Sequence, residues 1–217
     1  MPHVDDRAPQ VRRQRNPRGQ GHLLRNDIVA AANAILGRTG SEEAVTLRAV
    51  AREIGITAPS ISRHFADPAA IIDAVVAEQL TELAAQLTAA AHSAPDPVGA
   101  LHATWAAYVE FGRAHPAHYR VIFERRFLSL WDEEQRPMTE TAPIYTGSVD
   151  MMIGLLQACI DSGTSTSTNA ADDSVAIWCY AHGLVALPAA ITSFPWPDRA
   201  THLAAAVNNL AHLTPAK

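Results

Sequence analysis

The stretch Thr46-Leu-Arg-Ala-Val-Ala-Arg-Glu-Ile-Gly55-Ile-Thr-Ala-Pro-Ser-Ile-Ser-Arg-His-Phe65 reads as two short helices around a glycine turn. Thr46 can cap the first helix, its hydroxyl accepting a backbone N–H of the first turn. Leu47, Val50 and Ala51 follow at helical spacing. Gly55 stands where that helix must stop, because glycine enters a left-handed turn without steric cost. Thr57 can cap the second helix, and Pro59 falls in its first turn, where the missing N–H costs nothing. Ile61 and Phe65 are four apart and share a face. The other face, with Ser60, Ser62 and Arg63, is small and polar, as a helix entering the DNA major groove requires.

The composition suits an all-helical chain. Of 217 residues 48% are apolar, enough for a real core, while aromatics are few and no strand-like alternation of β-branched residues occurs. Cys159 and Cys179 sit in apolar helical patterns and read as two buried, reduced thiols. No apolar run is long enough to span a bilayer and no signal peptide is seen, so a cytoplasmic protein without membrane contact is expected. The net charge of −5 is unevenly spread. Up to Asp67 there are ten arginines against seven carboxylates; beyond it, seven basic residues face fifteen acidic ones. A basic first part on an acidic remainder is the asymmetry of a molecule that meets phosphate at one end.

Residues 1–20 carry Arg12, Arg13, Arg15 and Arg18 among Pro and Gly, and read as a disordered basic arm able to follow a DNA backbone or enter the minor groove. Leu23 to Leu36 reads as a helix closed by Gly37 and Gly40. With the two short helices it makes a domain over 21–67. Asp67-Pro68 opens a long helix bearing Ile72, Val76, Leu80, Leu83 and Leu87 on one face, the start of a second domain over 68–217. Asp96-Pro97 repeats that capping grammar before a helix with Leu101, Trp105, Tyr108 and Phe111. His115-Pro116 breaks it. Tyr119, Phe123 and Phe127 then recur every fourth residue, with Trp131 in reach. A further helix begins at Pro143. Residues 161–169 read as a mobile Ser/Thr/Gly loop. Asp172 or Asp173 begins a helix with Val175, Trp178, His182 and Val185 on a face. Pro188 should end or kink it, and Asp198 to Leu213 is the last of about nine helices.

No enzyme constellation emerges: there is no Gly-x-Ser-x-Gly elbow, phosphate-cradling loop, His-Glu-x-x-His or Cys-x-x-Cys. His115 and His118 are three apart, but Pro116 between them spoils a helical ligand pair. Neither a cofactor nor a metal is expected. The aromatic stripe has two readings, core packing or one wall of a pocket between helices. As a pocket it draws on Trp105, Tyr108, Tyr119, Phe123, Phe127, Met152, Trp178 and His182.

The segment from Arg25 to Ile71 resembles the DNA-binding domain of TetR-type transcriptional regulators. Arg25, Ile28, Ala31, Ala32, Thr46-Leu-Arg-Ala-Val-Ala, Gly55-Ile-Thr, Arg63-His64-Phe65 and Ile71 carry the resemblance. Ala107-Tyr108-Val-Glu-Phe111, His115-Pro116, Tyr119 and Trp178-Cys-Tyr-Ala-His182-Gly183 are similar to the WHG-type ligand-binding domain of one branch of that family. The resemblance implies a homodimeric repressor that binds a palindromic operator in double-stranded DNA and is released by a small, mostly apolar effector. The alternative is a helical enzyme or carrier that keeps the fold. Expected DNA contacts are Arg18, Arg25, Thr46, Arg48, Thr57, Ala58, Pro59, Ser60, Ser62, Arg63 and His64. The chain departs from the family where a phosphate-contacting Tyr and Lys are usual: Ser62 and Pro68 stand there. The last two helices, through Ala181, Val185, Ala189, Ala204 and Val207, are the expected dimer face.

Overall fold

A computed structural model describes residues 21–124 and 141–215. The basic arm with Arg18, together with Phe127 and Trp131, lies outside the described residues. The described residues form helices α1 (Gly21–Thr39), α2 (Leu47–Glu53), α3 (Ala58–Ile61), α4 (Pro68–Ser93), α5 (Pro97–Ala114), α6 (Pro116–Glu124), α7 (Thr141–Asp161), α8 (Ala170–Ala190) and α9 (Arg199–Leu210). Among them there is no strand, only an isolated bridge between Ser165 and Leu213. The fold is all-α, and the chain divides into two compact units at Val76–Ala77.

In the first unit α1 packs on α2, and α2 on α3. Ile28, Ala32, Ile35 and Leu36 of α1, with Val50, Ala51, Ile61, Phe65 and Ile71, are buried in its core. Gly37 lies within α1, which ends instead at Gly40, whose φ is +65°. A glycine in mid-helix costs only about 1 kcal/mol, so the tertiary packing of the preceding turns carries the helix past it.

In the second unit α5 is central, packing against α6, α7, α8 and α9. Sequence-expected caps recur as seen bonds: the Asp96 carboxylate accepts from Gly99 N–H at 2.8 Å, and Asp198 accepts from Thr201 N–H at 2.8 Å. The start of α8 differs from expectation. Asn169 caps it, accepting from Asp172 N–H at 3.2 Å, which leaves both aspartates in the first turn where the helix dipole favours them. Pro188 lies inside α8, near its end, where the helix tolerates it.

The 161–169 stretch is tied down rather than loose. Thr214 N–H donates to the Thr164 carbonyl at 2.9 Å, Thr166 N–H to the His212 carbonyl at 3.0 Å, and the buried Ser165 hydroxyl to the Ala211 carbonyl at 2.6 Å. Two further expectations are corrected. Cys159 is buried, and burial pushes its thiol up from the ordinary range, but Cys179 is exposed. Ala181 and Val207 are wholly buried within their own unit, so they face its core and are not open to a second chain. Val175, at the start of the α8 face that carries Trp178, His182 and Val185, is exposed.

Candidate functional sites

The first candidate site is the α2–turn–α3 surface. The Thr46 hydroxyl accepts from Ala49 N–H at 3.1 Å and starts α2. Gly55, with φ +70°, turns the chain, and Ile56 N–H closes back on the Ala51 carbonyl at 2.9 Å. A four-residue helix such as α3 cannot stand alone. It is anchored by Ile61 and Phe65, both buried, and its chain continues as a turn through His64. Thr57 occupies the N-cap position, but its hydroxyl lies 3.0 Å from the Ser60 hydroxyl and takes no backbone N–H. The Ser60 backbone N–H is met by the Thr57 carbonyl instead.

Anchoring Ile61 and Phe65 inward turns Pro59, Ser62 and Arg63 outward, with Ala58, Ser60 and His64 partly exposed. Arg48 and Thr46 are exposed on the neighbouring α2 end. All ten of the described DNA-contact candidates thus belong to the first unit, and nine of them lie between Thr46 and His64. Arg25 has a further attachment: its guanidinium lies 5.1 Å from the centre of the Phe65 ring. Arg38, by contrast, is engaged by Glu53 through contacts of 3.0 and 3.3 Å.

The second candidate site is an aromatic cluster in the other unit. The Tyr108 ring meets Trp105 and Tyr119 edge-on, each with centroids 5.9 Å apart, and Phe123 at 6.1 Å. Tyr119 lies 4.5 Å from Phe123 and stacks on His182 at 5.5 Å. A line of polar atoms threads these rings. Trp178 Nε1–H donates to the Tyr108 hydroxyl at 2.9 Å; that oxygen lies 2.8 Å from the Tyr119 hydroxyl, which lies 2.7 Å from His182 Nδ1. Because an indole N–H only donates, Tyr108 must accept from it. With His182 protonated on Nε2 alone, the hydrogens run from Trp178 through Tyr108 and Tyr119 to His182. Burial, with Tyr108 alongside, pushes the Tyr119 phenol far above the ordinary range and keeps it neutral.

Six of the eight expected pocket residues therefore meet in one cluster. Met152 is buried on α7, which packs against both α5 and α8. Three residues were missed by the sequence reading. Gly112 lies where α8 comes so near that an added Cβ would stand 2.5 Å from Val185 Cγ1 and 2.8 Å from Tyr119 Cδ2. Thr104 and Ser174 are buried polar residues whose hydroxyls have no hydrogen-bond partner among the described residues. A glycine without a turn around it was the available signal for the first; small hydroxyls inside apolar helices give none. Among the described residues no three His, Cys, Asp or Glu side chains gather in a metal-holding group, and no helix is long and apolar enough to cross a membrane.

Two family models match this chain. Residues 28–75 match the bacterial regulatory proteins of the tetR family, and residues 101–210 match the tetracyclin repressor-like C-terminal domain. The chain belongs to the TetR family. It is thus a transcriptional regulator with a helix-turn-helix DNA-binding domain and a C-terminal ligand-binding domain. No curated protein sequence matches the regulator. Among solved structures, a tetR-family regulatory protein from Rhodococcus RHA1 is similar at 18% identity, with TM-score 0.65 over 89% of this chain and 98% of that one. A protein of unknown function from Rhodococcus sp. RHA1 reaches 21% identity and TM-score 0.69 over 87% and 93%. The ketosteroid transcriptional regulator KstR2 of Mycobacterium tuberculosis has 20% identity and TM-score 0.59, over 95% and 100%. At these identities the likeness is one of fold.

Proposed function

We propose that the regulator is a homodimeric repressor that holds a palindromic operator with α3 and lets go when a small, mostly apolar effector binds the aromatic cluster. The observation that carries the DNA part is the anchoring of α3. Ile61 and Phe65 are turned into the core, and the outer face offers Pro59, Ser62 and Arg63 as exposed side chains, with Thr57 exposed at the N-cap. That face is slim enough for the major groove and carries one cation to read a guanine edge or hold a phosphate. Ser62 can donate to phosphate in place of the family's Tyr, while Pro68 supplies no charge in place of its Lys, so Arg48, Arg63 and the N-terminal arm carry the backbone contacts. Footprinting on the DNA flanking the regulator's own gene tests this. Absence of any protected site at low salt would defeat the reading.

Support for the effector comes from the clustered rings of Trp105, Tyr108, Tyr119 and Phe123, joined by a short polar line to Trp178 and His182. Apolar walls with a few placed polar groups are what a small-molecule site needs. Support for the dimer comes from α8 and the segment after it, where Leu187, Ile191 and Phe194 are each about half exposed and Tyr180 more than a third. Tyr180 and Leu187 are seven residues apart on one stripe of α8, and Ile191 follows at its C-cap. Such a stripe is covered most simply by its own copy around a two-fold axis. Acting on DNA, the regulator belongs in the cytoplasm.

A further inference from the structure

We infer that the effector site includes a neutral polar subsite, formed by Trp105 Nε1, Thr104 Oγ1 and Ser174 Oγ, that takes a carbonyl or hydroxyl group on an otherwise apolar molecule. The inference rests on the effector reading above and names the chemistry of that same site.

Trp105 and Thr104 are fully buried and Ser174 is 4% exposed, yet among the described residues none of these three polar atoms has a hydrogen-bond partner. Buried polar atoms are nearly always bonded, so three unmet ones in one region call for a reason. The other indole of the region shows the contrast. Trp178 Nε1–H is met by Tyr108 at 2.9 Å, whereas Trp105, whose ring touches the edge of the same Tyr108, finds nothing.

Thr104 and Ser174 share one seam. Tyr108 pairs with Trp178, and Gly112 packs against Val185, so α5 and α8 advance together along their contact. Thr104 lies one turn before Tyr108, and Ser174 one turn before Trp178. Thr104 and Ser174 therefore stand at the same level of the two helices, and Trp105 follows Thr104 in the chain with its ring against Tyr108 of the aromatic cluster.

The atoms select the ligand group. An indole N–H requires an acceptor, and two hydroxyls can either donate or accept. A carbonyl or hydroxyl oxygen satisfies that set. A carboxylate does not suit it, because neither α5 over 101–109 nor α8 over 171–178 carries a lysine or arginine. The ionisable groups there are His102, Tyr108, Asp172 and Asp173. His102 is engaged by Asn208 at 2.9 Å. Burying a carboxylate without a cation is costly.

The test compares four probes of one skeleton on the intact regulator: decane, 2-decanone, 2-decanol and decanoate, titrated by tryptophan fluorescence and by calorimetry. The ketone and alcohol are expected to bind about tenfold more tightly than decane or decanoate, the scale of one or two net hydrogen bonds. Trp105→Phe, and separately Thr104→Val with Ser174→Ala, should bring the four probes within about threefold of one another. Equal binding of all four to the unaltered protein overturns the subsite and leaves the effector reading standing. Failure of all four to bind overturns both. A ligand-free arm guards against misfolded variants. Thr104→Val removes a hydroxyl that has no partner, so the thermal midpoint of the free protein should hold or rise. A clear fall would mean that ordered water already satisfies the hydroxyl, and that result overturns the proposal.

Discussion

The Arg25 guanidinium lies 5.1 Å from the centre of the Phe65 ring, so a cation near the start of α1 covers the residue that ends the α3 turn. The contact ties the first helix of the unit to the base of the recognition element. A double-mutant cycle with Arg25→Ala and Phe65→Leu should give a coupling of about 0.5–1 kcal/mol, as for an exposed cation–π pair. Urea denaturation of the four proteins measures it. Strictly additive losses would show that the ring and the cation are neighbours without attraction.

Arg63 is the exposed cation on the α3 face. Arg63→Ala should cost about 1–3 kcal/mol of operator binding and relax the base preference at one position. If it touches only phosphate, affinity falls about equally on all sequences and the salt slope drops by about one. Titrations on operator and scrambled DNA at several salt concentrations separate these results from no effect at all.

At Gly112 the room for a methyl group is missing, with Val185 Cγ1 2.5 Å from the position it would take. Gly112→Ala should destabilise the second unit by about 1–3 kcal/mol through overpacking. Val185→Ala in the same chain removes the obstructing methyls and should recover part of the loss. An unchanged denaturation midpoint for Gly112→Ala would contradict the close approach.

Tyr119 makes stability depend on alkaline pH. Its folded-state ionisation is pushed far above the ordinary value of 10.0. The unfolded chain therefore releases this proton near its usual pH while the folded chain keeps it. The stabilisation is fully present below about pH 10 and declines as pH rises past it, by up to about 1.4 kcal/mol per pH unit. Denaturation between pH 8 and 11 should show this fall, and Tyr119→Phe should flatten it. Parallel curves for the two proteins would assign the alkaline loss to other groups.

Leu187 and Ile191, each 48% exposed, carry the dimer prediction. Leu187→Asp or Ile191→Asp should leave the helical content intact and shift sedimentation from dimer towards monomer at micromolar concentration. A dimer unaffected by both would place the interface elsewhere.

The parts of this fold that are local in sequence were legible from it. Thr46, Asp67, Asp96 and Asp198 each cap the helix they precede, and Gly55 turns the chain, because a cap or a left-handed turn is decided within a few residues. Where candidates competed locally, the choice was less clear: Asn169, Asp172 and Asp173 all suit a helix start, and Asn169 takes it. Contacts between distant helices were not legible. Small residues such as Ala181 and Val207 suit a core and an interface alike, and only the packing of α8 on α9 turns them inward. The periodicity that suggested a pocket wall of Tyr119 and Phe123 could not show that Tyr108, Trp178 and His182 would join in one hydrogen-bonded line.

The pairing of residues 164–166 with 212–214 closes α8 and α9 into a ring, its two ends knotted by backbone bonds of 2.9 and 3.0 Å. A helix at the edge of a unit commonly frays from its end, one turn at a time. Here the knot lies beyond α9, so peeling must first undo it and free the buried Ser165 hydroxyl from Ala211. Cutting the chain just before Ala211 would remove the fastener and leave α9 to unravel, although no turn of the helix itself had been deleted.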